Sequence, residues 1–440
     1  MNLLSTLGTR MRMADPRHVA ILRGMVTVAI FALLGKLMSA AKEMAVAYRY
    51  GLSAEVDAYQ FLYNLLSWPL GVWASVLTAV LVPLAVRMRQ SHAEELPRFR
   101  AELLGVALIA GLALALLTWS GIRSMLLLGL GGLPDAIARL VLESLPAMSL
   151  MLPLGVVIAL QSAWMLSAGR HLNTLYDCIP PLLIGAAVLA WPGGGIKPLI
   201  WGTVAGLTAH LGILLAPARR AISVPRFSLS STQWPLFWEG FGIMLLGQAF
   251  MSLTTVIDQF YAVSLGTGAV ATLGFANRIL SLVLALAAIA VSRATLPVFS
   301  SPDSGGGARL QTVAFAWMRV MFLAGVAAML TCHALAPAGV GLLFERGQFG
   351  ADDTRQVAEV LRFSLPQLPF YFCVMVLVSY ALSQRRYRLV FWSGLIGCAG
   401  KVLGNVLLVP HLGLNGIALA TTFTYALNAL FFKLALTRSR

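Results

Sequence analysis

Charged side chains inside long apolar runs are the residues of this chain that could do chemistry. The run MVTVAIFALL leads into GKLMSAAKEMAVAYRYG, residues 35–51, which carries Lys36, Lys42 and Glu43. Each charge at the centre of a lipid bilayer would cost about 2.5–3.5 kcal/mol on insertion scales. Lys36 and Glu43 are two helical turns apart and therefore share one face of a helix, whereas Lys42 points elsewhere unless the helix is broken.

Later apolar runs contain further ionisable residues. Asp57 begins the second run, and the others lie in TTVIDQFYA (Asp258), GFANRIL (Arg278) and GKVLGNVLL (Lys401, with Asn405 one turn on). Long basic side chains near helix ends can reach the interface, and this alternative stays open for Lys36, Lys42 and Arg278. Residues as deep as Lys36 and Asp258 more often face a watery cavity and mark a substrate path. An excess of cations in such a cavity predicts an anionic ligand.

The composition indicates which elements must position these groups. Of 440 residues 59% are hydrophobic and only 11% are charged, with a mean hydropathy of +0.82. Apolar runs long enough to cross a bilayer recur from end to end, which predicts an all-α polytopic membrane protein. We predict twelve spans, at 24–48, 57–86, 100–120, 138–168, 174–192, 197–216, 236–263, 270–298, 310–333, 353–383, 387–409 and 412–434.

The net charge of +15 does not indicate nucleic acid, because the lysines and arginines concentrate in short loops between the runs. They favour the loops on the side of the N-terminus, which predicts that both termini are cytoplasmic. The four cysteines are widely separated and the histidines form no HExxH, so the sequence predicts no metal site. The stretch GLIGCAGKV has the wrong glycine spacing for a phosphate loop, which argues against direct use of ATP.

The chain also repeats itself. DAYQFLYNLL…LVPL (57–84) resembles ATLGFANRIL…TLPV (271–298), and MLSAGRH (165–171) resembles ALSQRRY (381–387) at nearly the same offset. The repeat predicts two six-span halves, 1–220 and 221–440, which run in the same direction. Parallel repeats of this kind are typical of transporters that rock one half against the other.

Four stretches resemble the MurJ/MviN family of lipid II flippases. The opening signature is GKLMSAAKEMAVAYRYGLSAEVDAYQF, and FANRIL is similar to the family's motif in span 8. LLFERGQFGADD (342–353) resembles an outer-loop motif of the form LFxxGxF, and GLNGIALATTFTYALNALF is similar to span 12. The resemblance implies the MOP-superfamily fold, with two six-span lobes around a central cavity.

The resemblance also implies a function in peptidoglycan biosynthesis. Such a protein moves an undecaprenyl-pyrophosphate-linked sugar from the inner to the outer leaflet of the bacterial cytoplasmic membrane by alternating access, without being an enzyme. The family's cavity residues fall on Lys36, Lys42, Glu43, Asp57 and Arg278. Well-known members carry arginine at the first two positions, and lysine keeps the charge without the bidentate fork.

A second set of residues matches a sodium site of some family members. The matching positions are Asp258 in span 7, Lys401 and Asn405 in span 11, and Thr421 in span 12. We expect Asp258 and Lys401 to pair, so that the lysine ammonium replaces the ion. The alternative is that Lys401 reaches the interface and Asp258 is protonated. No cofactor is expected, and the membrane potential or an ion gradient would drive transport.

Two departures from the family keep other functions open. The span 2 stretch LLSWPL lacks a basic residue that the family tends to carry, and the last two spans of lipid II flippases are missing, as expected for a short relative. One alternative is a flippase for a lipid-linked exopolysaccharide unit, and a drug/cation antiporter of the same superfamily is another. Cell-wall or polysaccharide synthesis proteins are the expected protein partners.

Overall fold

The apolar runs fold as helices. The computed structural model describes residues 16–170, 172–216, 224–300, 306–384 and 386–437. Within these residues it contains no strand, and its helices are α1 (Pro16–Tyr50), α2 (Ala54–Ser91), α3 (Leu96–Leu127), α4 (Asp135–Ser149), α5 (Met151–Ser167), α6 (Asn173–Tyr176), α7 (Ile179–Ala190), α8 (Lys197–Leu215), α9 (Trp234–Ser264), α10 (Ala269–Ser300), α11 (Gly306–Phe344), α12 (Ala351–Ser364), α13 (Gln367–Ser383), α14 (Tyr387–Leu412) and α15 (Leu414–Thr437).

Each of the twelve predicted spans lies on one helix or on two consecutive helices. In the described part of the chain, eight helical segments are long and apolar enough to cross a membrane. A ninth candidate is the pair α12 and α13, which is bent by 43° at its break. The all-α, multi-pass membrane architecture predicted from composition is thus confirmed.

The helices pack in two groups that follow the order of the chain. In the first group α2 packs on α4 and α5, and α7 packs on α1 and α8. In the second, α14 packs on α15, α11 on α13, and α10 on α12 and α13. The groups meet where α2 packs on α9 and α10, and where α1 packs on α11. The predicted boundary between residues 220 and 221 lies outside the described residues, and the division into two lobes stays a prediction.

Helix α2 follows α9 along much of its length, because aromatic side chains interlock at several levels. Phe61 meets Phe260 edge to face at 5.5 Å, and Trp73 meets Phe241 at 5.4 Å between ring centroids. Between these levels the indole nitrogen of Trp68 donates a hydrogen bond to Ser252 at 2.9 Å. Rings in these orientations contribute about 0.5–1.5 kcal/mol per pair beyond their buried area.

The described part of the segment that joins the two groups, residues 224–233, is attached to α3 in part by one buried carboxylate. The buried Glu102 accepts hydrogen bonds from the Ser228 hydroxyl at 2.9 Å, the Ser231 amide at 3.1 Å and the Trp234 indole at 2.8 Å. Arg98, one turn earlier on α3, donates to the same carboxylate at 3.2 Å. A buried carboxylate needs such a set of donors, so Glu102 orders the connecting segment against the first group.

Candidate functional site

A cavity of about 150 Å³ lies between α1, α10 and α11. Lys36 and Glu43 of α1 line one wall, as their shared helix face requires, and Arg278 of α10 lines another. Leu343 and Phe344 of α11 supply an apolar wall. Two predicted site residues from the first half of the chain thus meet one from the second half at this cavity.

Glu43 lies between two cations. Its Oε1 atom is 2.6 Å from the Lys42 ammonium and 3.0 Å from Nε of Arg278. The Glu43 side chain is only 4% exposed, whereas 46% of the Arg278 side chain is exposed. With Lys36, which is exposed, three cations stand against one carboxylate. The cluster therefore has a surplus of positive charge, and that surplus lies on the exposed side chains.

Lys42 does not line this cavity. It turns away from Lys36 and is buried, and its ammonium lies 6.0 Å from the ring centre of Tyr59 and 5.9 Å from that of Tyr63. Cation–π contacts at this range favour a desolvated ammonium. Lys42 therefore forms its ion pair with Glu43 on the side of the carboxylate that faces away from the cavity.

Asp57 was expected at the cavity from the resemblance, but it is not among the residues that line it. Its buried carboxylate accepts hydrogen bonds from the backbone amides of Gly268 and Ala271, the latter at 2.7 Å. These amides belong to the start of α10, where the helix leaves its first N–H groups without internal partners and carries a partial positive charge. Asp57 therefore caps α10 from a different helix and joins the two groups.

The LLFERGQFG stretch closes the same end of the bundle. Phe344 and Phe349 pack on the buried Phe275, with ring centroids 4.9 and 5.5 Å away. Gly347 has a φ of +63°, and a Cβ there would collide with the Tyr48 carbonyl. The resemblance predicted no role for this motif, although its glycine and two phenylalanines could have indicated a packed turn.

The second predicted set lies together between α9, α14 and α15. The Lys401 ammonium is 2.9 Å from Oδ1 of Asp258, and it donates to the Ile417 carbonyl at 3.0 Å and to the Thr421 hydroxyl. Asn405 donates to the same Asp258 oxygen at 3.1 Å. All three ammonium donors are thus used, and the charges balance one to one. The role of this set in place of a sodium site stays a prediction.

Within the described residues, no three His, Cys, Asp or Glu side chains form a group that could hold a metal ion.

The chain is similar to known flippases in sequence. The family model described as "Lipid II flippase MurJ" matches residues 179–440, which is more than half of the chain. A probable lipid II flippase MurJ of Bdellovibrio bacteriovorus is 26% identical over 52% of this chain, but only 45% of that relative is covered. A Helicobacter pylori relative with the same description is 32% identical over 43% of this chain and 41% of its own length. The lipid II flippase MurJ of Burkholderia cenocepacia is 23% identical, over 94% of this chain and 83% of its own.

Solved structures share the fold. A lipid II flippase MurJ in an inward closed conformation superposes with a TM-score of 0.81 at 18% identity, over 94% of this chain and 87% of the other. An inward-facing multidrug resistance MATE transporter of the MOP superfamily gives 0.76 at 15% identity, over 92% and 94%. These likenesses establish the fold alone, and the family follows from the sequence model. The chain therefore belongs to the MurJ family of lipid II flippases.

Proposed function

We propose that this chain flips an undecaprenyl-pyrophosphate-linked glycan, lipid II or a similar molecule, from the inner to the outer leaflet by alternating access. The observation that carries the proposal is the surplus of positive charge at the cavity between α1 and α10. A polyprenyl tail can remain in lipid throughout transport. The pyrophosphate cannot cross hydrocarbon without counter-charges, which this cavity offers.

The geometry suggests how the site would receive a pyrophosphate. Arg278 touches Glu43 through Nε and is half exposed, so its other N–H groups can turn to phosphate oxygens. Lys36 would add a second cation from the opposite wall. Lys42 would stay on Glu43 and keep that carboxylate from repelling the substrate. Glu43 would hold Arg278 again once the substrate has left.

Rocking of the two halves would expose the cavity to each side of the membrane in turn. We propose a bacterial inner-membrane location with both termini in the cytoplasm. Cysteine-accessibility labelling of the loops would test that orientation. The membrane potential is the proposed drive, since moving one charge through the field is worth about 2.3 kcal/mol per 100 mV. Proteins of cell-wall or polysaccharide synthesis are the proposed partners.

The alternative functions differ in how well they fit the positive charge at the cavity. A flippase for a lipid-linked exopolysaccharide unit would use the same cavity, because its substrate also carries a pyrophosphate. A drug/cation antiporter would need a net negative site, which the cluster around Glu43 does not provide. The likeness to the MATE transporter does not favour that function, since it concerns the fold.

A flipping assay in liposomes tests the proposal. The purified chain would be given labelled lipid II or a labelled lipid-linked exopolysaccharide unit, and arrival in the opposite leaflet would be measured. The double variant Lys36→Ala, Arg278→Ala should lose flipping while it remains folded and expressed. Arg355→Ala is the control, because that exposed arginine pairs with Asp352 on α12 and lies outside the cavity. Normal flipping by the double variant would refute the mechanism.

A further inference from the structure

A second, larger cavity lies within the C-terminal group of helices. Its volume is about 400 Å³, within the range of roughly 300–1,000 Å³ that is usual for ligand pockets. Helices α9, α10 and α12–α15 surround it. Amide, hydroxyl and phenol groups dominate its polar lining, and they include Asn277, Ser281, Ser393, Thr424, Tyr425 and Asn428.

This cavity has no net charge among its described lining residues. Its charged residues are Asp258 and Lys401, which neutralise each other at 2.9 Å. The ammonium of Lys401 has three donors, and Asp258, Ile417 and Thr421 accept all of them. The lining therefore offers no cation to a phosphate or a carboxylate, and it cannot compensate an anionic group.

Three hydroxyls of the lining offer acceptors. The hydroxyls of Ser281, Ser393 and Thr424 each donate to a carbonyl of their own helix at 2.8 Å. Each hydroxyl oxygen keeps lone pairs that can accept from a ligand. The side chain of Asn428 also lines the cavity. Such a lining fits a ligand rich in O–H groups.

The two cavities meet at one residue. Ser281 lines both, and it lies on α10 less than one turn beyond Arg278. A single molecule could therefore present a pyrophosphate to Arg278 and Lys36, and extend an uncharged portion past Ser281 into the larger cavity. The ring of Tyr425, set edge to face against Tyr371 at 5.3 Å, gives this cavity an aromatic wall.

We infer that the larger cavity is a carbohydrate subsite, which binds the uncharged, hydroxyl-rich sugar next to the pyrophosphate of a lipid-linked substrate. The inference rests on the proposed function and deepens it. Recognition is divided between a cationic cavity for the phosphates and a neutral cavity for the sugar hydroxyls. Charged portions of a substrate, such as a peptide bearing carboxylates, lie outside the larger cavity.

Binding measurements on the full chain in detergent test this division. The probes are undecaprenyl pyrophosphate without a sugar and the same lipid carrying an uncharged disaccharide. We expect the native chain to bind the sugar-bearing lipid about tenfold or more tightly, as one or two good hydrogen bonds would provide. The double variant Thr424→Val, Asn428→Leu should abolish that preference and leave the affinity for the sugar-free lipid unchanged.

Matched controls make each outcome decisive. Thr331→Val removes a hydroxyl that also donates to its own helix, but from an exposed position on α11, and it should keep the preference. Equal affinities in the native chain, a preference that survives in the double variant, or equal loss of both lipids in a variant with native thermal stability would overturn the subsite. Failure of the native chain to bind either lipid would instead overturn the proposed function and the subsite with it.

Discussion

Two carboxylates of this protein, the buried Glu43 and the partly buried Asp258, have different partners. Glu43 is shared by two cations, with the Lys42 ammonium at 2.6 Å and Nε of Arg278 at 3.0 Å. Asp258 has a single cation, Lys401 at 2.9 Å, and an amide from Asn405 at 3.1 Å. The first cluster draws its residues from both halves of the chain, whereas the second lies within the C-terminal group.

The difference distinguishes a site whose positive charge is partly unpaired, and which can bind an anion, from a site whose charges are fully paired. Around Glu43 the positive charge exceeds the negative, and the excess lies on Arg278, whose side chain is 46% exposed. Around Asp258 the charges cancel, and the Lys401 side chain is only 2% exposed. An anion can join the first cluster at a favourable energy, but it would have to break the second. Balanced buried charge thus serves the fold, and surplus charge facing a cavity serves binding.

The largest effect on stability should come from breaking the Asp258 and Lys401 pair. Asp258→Asn or Lys401→Gln alone leaves one uncompensated buried charge, which costs about 3–5 kcal/mol. Both single variants should unfold at clearly lower temperature in detergent. The double variant should recover part of the loss, because neither charge remains.

An exposed ion pair gives the control for that experiment. Asp352 and Arg355 on α12 are 82% and 79% exposed, so Asp352→Asn should change stability by no more than about 1 kcal/mol. A double variant at Asp258 and Lys401 that is as unstable as the sum of the two single variants would show that the pair does not compensate its own charges.

A third carboxylate, Asp57, extends the comparison because its partners are backbone amides and not a cation. Asp57→Asn keeps one acceptor but turns an NH₂ group towards the amides of Gly268 and Ala271. The loss of a buried hydrogen bond should cost about 1–3 kcal/mol and weaken the contact between α2 and α10. Distance measurements between spin labels on those helices would detect the separation. Asp135→Asn, at an exposed helix start, should leave the distances unchanged.

Arg278→Gln should reduce transport but leave the stability of the protein nearly unchanged. Glu43 keeps Lys42 in this variant, and the lost arginine is half exposed, so stability should change by less than about 1 kcal/mol. Flipping should nevertheless fall about tenfold or more, because one of the two exposed cations of the cavity has been removed. A variant that flips normally would show that the charge of Arg278 is not needed for transport. A variant that fails to fold would show that the Glu43 cluster, like the Asp258 cluster, serves the fold.

The smallest expected effect is that of sodium. If the Lys401 ammonium takes the place of an ion beside Asp258, replacing sodium by potassium should leave the flipping rate of the native chain unchanged. The liposome assay measures this directly, with Lys401→Gln as the comparison. Flipping that stops when sodium is withdrawn would contradict the internal-cation interpretation.

The sequence predicted the helices well, because long apolar runs allow few other structures in lipid. It did not predict where three of the spans break, between α4 and α5, α6 and α7, and α12 and α13. Pro180 and Pro181 lie in the first turn of α7 and could have indicated one of these breaks. Pro366 lies in the break between α12 and α13, and a proline there could have indicated the bend as well.

Some positions of the site residues could be predicted from the sequence, and others could not. Spacing on one helix placed Lys36 and Glu43 on a common wall, because helical geometry fixes that relation. The partners of Asp57 could not be predicted, since they are backbone amides that have no signature in the sequence. Lys42 was expected at the cavity from its depth in the apolar run together with the resemblance, and its burial against Tyr59 and Tyr63 follows from the position of α2.

The attachment of the connecting segment to α3 has a consequence for the order in which the protein is made. Glu102 is synthesised more than a hundred residues before Ser228 and Trp234, which lie 126 and 132 positions later in the chain. Until those residues leave the ribosome, the carboxylate lacks most of its donors. The contacts of α3 are therefore incomplete until the start of α9 has been made. A chain truncated at residue 220 should be degraded in cells, and one truncated at residue 240 should persist.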